Sequence, residues 1–118
     1  ALIDVEDVIL QRIDQLEEDE PELEMDYELI APENYGVITV LTEDGAIGAE
    51  FIESDISWAR NDAVEEYNEA ARDGLYVVVI VPNDAYLPTL DRISRRGRGN
   101  IAVYSYESLG ILSTPMAG

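Results

Sequence analysis

Val5, Val8, Ile9, Ile13 and Leu16 recur at helical spacing along the start of the chain, and Asp4 stands where an N-cap belongs. The spacing predicts an amphipathic first helix whose apolar stripe faces a core. Glu17-Glu18-Asp19-Glu20-Pro21-Glu22 interrupts it. A like-charge run closed by proline cannot pack, so residues 17–24 read as an acidic loop. Beyond it the period shortens to two. Met25 to Ile30 reads as a short strand, Val37 to Leu41 as a second, and Ala46 to Ile52 as its return across the turn Glu43-Asp44-Gly45. Ser54, Asp55 or Ser57 can cap a second helix with buried positions Ile56, Ala59, Ala63, Tyr67, Ala70 and Ala71. Gly74 supplies its left-handed stop.

Leu75-Tyr76-Val77-Val78-Val79-Ile80-Val81 is a continuous β-branched run bounded by Gly74 and Pro82. Such a run predicts a strand buried on both faces, as in a parallel sheet covered by helices. Asn83 or Asp84 opens a third helix through Leu87, Leu90 and Ile93, with Pro88 tolerable in its first turn and Gly97 and Gly99 beyond its end. Ile101 to Tyr106 is the last strand. Residues 109–118 form a short tail, apolar enough at Leu109, Ile111 and Leu112 to cover an edge. The reading is one domain over 1–118: a three-layer α/β/α sandwich with a mixed sheet, in the order α-β-β-β-α-β-α-β.

Charge changes this picture. Twenty-six Asp and Glu face seven Arg, with no Lys, His or Cys, for a net charge of -19 on 118 residues. Self-repulsion of that size loosens a compact state at low salt. At molar salt the Debye length falls to ~3 Å and the repulsion is screened. Arginine without lysine under this carboxylate load looks like a protein of a halophilic archaeon. The missing residue types also remove chemistry: no thiol nucleophile, no Ser–His pair, no usual structural zinc site, no Schiff-base or phosphate-loop lysine. Carboxylate–magnesium chemistry, carboxylate acid–base work or binding remain. No apolar stretch approaches the ~20 residues that span a bilayer, and no signal segment is visible at the start, so a cytoplasmic protein without membrane contact is expected.

The order of elements, with Glu50 in Ile47-Gly48-Ala49-Glu50-Phe51-Ile52-Glu53-Ser54, resembles the core of the PD-(D/E)xK nuclease superfamily over roughly residues 2–106. The resemblance implies a third strand carrying the acidic position at Glu50, a metal-binding carboxylate near the start of the second strand, and a lysine two residues after the Glu. That lysine position is Ile52 here. If Tyr35-Gly36 aligns with Pro-Asp, Gly36 replaces the carboxylate; if Pro32-Glu33 does, a carboxylate survives before the strand. The resemblance therefore implies the fold with a degenerate active site. Glu33, Asp44 and Glu50 are the candidate metal ligands, with magnesium as cofactor only if the chain is catalytic.

Arg92, Arg95, Arg96 and Arg98 cluster in one short stretch. They suit either the negative end of a helix or an anion site for nucleic-acid phosphates. Residues 1–33 hold thirteen of the carboxylates against the single Arg12. This acidic third reads as a solvated halophilic surface, a dock for a basic protein, or a mimic of nucleic acid. A non-catalytic protein- or nucleic-acid-associated module is the expected function, with a homodimer compatible. The alternatives are a metal-dependent nuclease using Glu50 with Glu33 or Asp44, and a regulatory receiver-like domain.

Overall fold

β-Branched residues dominate the middle of the chain, and they form the centre of the sheet. A computed structural model describes residues 2–117. Its elements are α1 (Val5–Asp19), β1 (Glu24–Ile30), β2 (Tyr35–Thr42), β3 (Gly45–Ile52), α2 (Ala63–Arg72), β4 (Tyr76–Val81), α3 (Tyr86–Arg96) and β5 (Ile101–Ser105), with short 3-10 turns at Ala31–Glu33, Asn83–Ala85 and Glu107–Leu109. The strands lie in chain order, β1-β2-β3-β4-β5. β1, β2 and β3 pair antiparallel, and β3, β4 and β5 pair parallel. This is the expected α/β class and element order.

Two cores follow from the alternation of strand side chains. On one face, Val5, Val8 and Ile9 of α1 pack on Ile38, Val40, Ile52 and Ile80, with Tyr106 and Ile111. On the other, Ala63, Val64 and Tyr67 of α2 and Ala85 before α3 pack on Ala49, Phe51, Val77, Val79 and Val81. α1 lies chiefly over β1–β3, whereas α2 contacts β4 and α3 contacts β5. Asp4 caps α1 by accepting from the Asp7 amide at 3.1 Å.

Several local expectations are corrected. The acidic run is only partly loop, because Glu17, Glu18 and Asp19 complete α1. The second helix starts at Ala63, later than the serines suggested. Residues 54–57 instead form a tight turn in which the Ser57 amide donates to Ser54 Oγ and the Ser54 amide to Ser57 Oγ. Ile56 is consequently exposed. Tyr76 opens β4 but is 76% exposed, so burial on both faces holds only further along that strand. The inner face of α3 carries Thr89 with Ile93, and Leu87 and Leu90 point outward. The tail meets the N-terminal segment at an Ile3–Pro115 bridge, with Ile111 buried and Leu112 exposed. Among the described residues, no helix is long and apolar enough to cross a membrane.

Candidate anion-binding cleft

Glu50 sits mid-strand on β3, paired with Ile38, and faces α1. Arg12 reaches it from α1 with both arms of its guanidinium, Nε to Oε1 at 2.6 Å and Nη2 to Oε2 at 3.1 Å. Both side chains are largely buried. A bidentate pair of this kind occupies both carboxylate oxygens and neutralises the charge. Glu33 belongs to the turn before β2, and Asp44 to the turn after it, so the eight residues of β2 separate them. The three candidate ligands therefore stand at one end, the middle and the other end of the hairpin. Among the described residues, no group of three or more carboxylates is arranged to hold a metal ion. Gly36 has its own reason to lack a side chain. A Cβ there would lie 2.5 Å from Ile9 Cδ1 and 2.9 Å from the Glu28 carbonyl, so the approach of α1 leaves no space for an aspartate. Ile52, two residues after Glu50, is fully buried against α1. These residues do not fit a divalent cation.

The buried ionic centre of the molecule is a residue that the sequence pattern did not single out. Glu53 follows the last residue of β3 and is fully buried. Its Oε1 accepts from Ser57 Oγ at 2.7 Å and from Arg60 Nη1, and its Oε2 accepts from the Tyr67 hydroxyl. Its carbonyl accepts from the Tyr106 hydroxyl. Arg60 also donates to Glu66 at 2.7 Å and lies 3.5 Å above the centre of the Tyr35 ring. Burial would lower the Arg60 pKa, but Glu53 and Glu66 outweigh it and the net direction is up. Burial and the Glu53 carboxylate push the Tyr67 and Tyr106 phenols up, and burial is the first cause of Tyr35 rising to about 12. The network satisfies the Glu53 carboxylate from within and leaves Arg60 Nε without a hydrogen bond among the described residues, 3.6 Å from the exposed Asp62. A charged residue that ends the apolar strand Phe51-Ile52, four and seven residues before Ser57 and Arg60, was the available signal.

The arginines divide sharply. Arg12 and Arg60 serve the two buried glutamates. Arg92, grouped in sequence with the basic cluster, donates Nη1 to the Trp58 carbonyl at 2.7 Å and Nη2 to the Arg60 carbonyl at 3.1 Å. Arg92 thus ties α3 to the loop before α2. Arg95, Arg96 and Arg98 line a cleft of about 630 Å3 between α2 and α3, joined by Arg72 from the last turn of α2. Arg72 was missed because it lies more than twenty residues away in sequence.

Topology explains the meeting. Because β3, β4 and β5 are parallel, α2 and α3 both run back against them and end side by side at the start of β4 and β5. Asn68 fixes the far wall: its amide donates to the Arg96 carbonyl at 3.1 Å, and its oxygen accepts from the Arg98 amide at 2.6 Å. Arg95 pairs with Asp91 one turn earlier at 3.3 Å. Arg72, Arg96 and Arg98 form no ion pair among the described residues. In a chain with twenty-six carboxylates, three exposed guanidiniums without an acidic partner are the exception. Glu65 and Glu69 stand on the α2 wall and temper the charge.

Compared with known proteins, the chain matches no family model, and no curated protein or solved structure matches it significantly.

Proposed function

We propose that this chain is a non-catalytic, nuclease-like α/β module of a salt-adapted cell that associates with nucleic-acid phosphates through Arg72, Arg95, Arg96 and Arg98. The observation that carries the reading is the convergence of these four side chains in one cleft, three of them with no carboxylate partner. Guanidinium forks match phosphate oxygens bidentately, and contacts of this type hold a backbone without reading its sequence. The acidic helix α1 supports the arrangement, since it packs on the face of the sheet opposite to α2, which walls the cleft. In molar salt the repulsion from α1 is screened beyond ~3 Å, and the phosphate contacts weaken as counterions compete, so binding falls as KCl rises. The non-catalytic part is supported by Arg12 neutralising Glu50, Ile52 in the lysine position and a filled position 36. The receiver-like alternative calls for a parallel sheet in the order 2-1-3-4-5, unlike this mixed sheet.

The test is a titration of fluorescent oligonucleotide at several KCl concentrations with wild type and with Arg72→Gln/Arg96→Gln/Arg98→Gln. Saturable wild-type binding that the triple variant weakens is expected, with the salt slope of the residual binding smaller by roughly 0.7–0.9 for each phosphate contact removed. Absence of saturable binding at every salt where the protein is folded overturns the reading. Magnesium-dependent cleavage of DNA that disappears in Glu50→Ala overturns the non-catalytic part.

A further inference from the structure

The two edges of the sheet are finished differently. β1 carries Glu24, Asp26 and Glu28, all exposed. Charges of this kind discourage an edge strand from pairing with another chain. β5, the opposite edge, reads Ile-Ala-Val-Tyr-Ser with no charge and no proline, and it pairs only with β4. In a chain with 28% charged residues, this is the undefended edge.

Its surroundings are apolar on both faces. Arg92 points from α3 toward the loop before α2, so the opposite flank of the helix lies over the free side of β5. By helical spacing that flank carries Tyr86, Leu87, Leu90 and Ser94, without a charge. Leu87 is 72% exposed and Leu90 40%. On the other face, where α1 does not reach, Ala102 and Tyr104 of β5 are exposed beside the line of Tyr76 and Val78.

We propose that β5 and the outer flank of α3 form a two-fold interface with a second copy of this chain, the two β5 strands pairing antiparallel and continuing the sheet through both copies. Self-complementarity in charge identifies the occupant. Pairing about Val103 sets Ile101 against Ser105 and Ala102 against Tyr104, with no charge opposed. The same operation on β1 about Tyr27 sets Asp26 against Glu28, and like charges directly opposite destabilise a pair. The two-fold also brings Leu87 and Leu90 onto their own counterparts, as an isologous interface requires. Antiparallel pairing keeps each face of the sheet on its own side. Both arginine clefts then open on one face, a consequence that rests on the anion reading above while the dimer itself does not.

Sedimentation equilibrium of the full chain in molar KCl decides the matter, with two independent variants at exposed positions. Ala102→Glu charges the edge; Leu87→Glu/Leu90→Glu charges the helix flank. The expected result is a wild-type dimer at micromolar concentration, with each variant dissociating at least ~100-fold more readily, the shift that loss of central interface contacts produces. Unchanged far-ultraviolet circular dichroism in the variants shows that the monomer is intact. A wild type that stays monomeric throughout the micromolar range overturns the proposal. So does a dimer that both variants leave unaltered, which assigns the contact to another face. Oligonucleotide titration of the same samples separates the readings: lost wild-type binding with the dimer intact removes only the anion site.

Discussion

The two ends of the parallel half of the sheet are built on opposite plans. Open parallel sheets usually hold ligands in the crevice beyond the carboxyl ends of their strands. Here Glu53, Ser57, Arg60, Tyr67 and Tyr106 close the end of β3 with a mutually bonded network that leaves Arg60 Nε without a hydrogen bond among the described residues. A cleft of about 820 Å3, lined by Asp55, Asp84 and Glu107 and, among the described residues, by no cation, opens beyond β4 and β5. The other end, where strands begin and helices stop, is open and lined with four arginines, of which Arg72, Arg96 and Arg98 form no ion pair among the described residues. Burial separates the two. A charge withdrawn from water must be matched by partners inside the fold, whereas a charge at the surface is already solvated and remains available.

The largest effect that would break this contrast is expected at Arg60. Arg60→Leu leaves Glu53 buried without its cation and should cost about 3–5 kcal/mol, read as a shift of the urea midpoint in molar KCl. A loss below 1 kcal/mol would mean that the closed end is solvated after all. Alkaline pH acts on the same end. Tyr35, Tyr67 and Tyr106 are held in the neutral phenol form, their folded pKa values lying above the ordinary value of 10.0. Their contribution is therefore complete below the unfolded value and is lost as pH rises through the folded one. Thermal midpoints should stay flat up to about pH 10 and decline toward the Tyr35 value of about 12. A tyrosinate absorbance band that develops fully while the fold is intact would contradict it.

Tyr67→Phe removes one donor from Glu53 Oε2 and keeps the ring against Phe51, with which it makes an edge-on contact at 4.8 Å between centroids. The expected cost is about 1–3 kcal/mol, that of a buried acceptor left short of a partner. The smallest stability effect belongs to the open end. Replacing Arg72, Arg96 and Arg98 by Gln should change stability by no more than about 1 kcal/mol in molar salt, because interactions with helix ends are worth little at exposed, screened sites. A loss comparable to that of Arg60→Leu would make the cleft structural and erase the difference between the two ends.

Part of the candidate site was legible along the chain. Arg95, Arg96 and Arg98 stand close together in sequence, and their surplus of cation is visible against an acidic background. Arg92 belongs to the same run and, three and four residues before Arg95 and Arg96, shares their side of the helix; one turn further in, its guanidinium is taken up by the Trp58 and Arg60 carbonyls. Arg72 enters only through the third dimension. The same holds for Glu50 and Arg12, which are thirty-eight positions apart and meet because α1 crosses the face of β3. In the fold, the strands were clearest where β-branched runs met glycine or proline, as at Gly74 and Pro82. The start of α2 was misplaced because serine hydroxyls that resemble caps instead closed a turn around Glu53.

What the sequence determined by itself is local and cumulative: element types from periodicity, the α/β class from their order, and a net charge of -19. Which charges are structural and which are available was decided only by tertiary structure. Burial depends on what crosses overhead, and chain spacing does not encode that. Three arginines became internal partners, and the parallel path of two helices gathered the other four into one cleft.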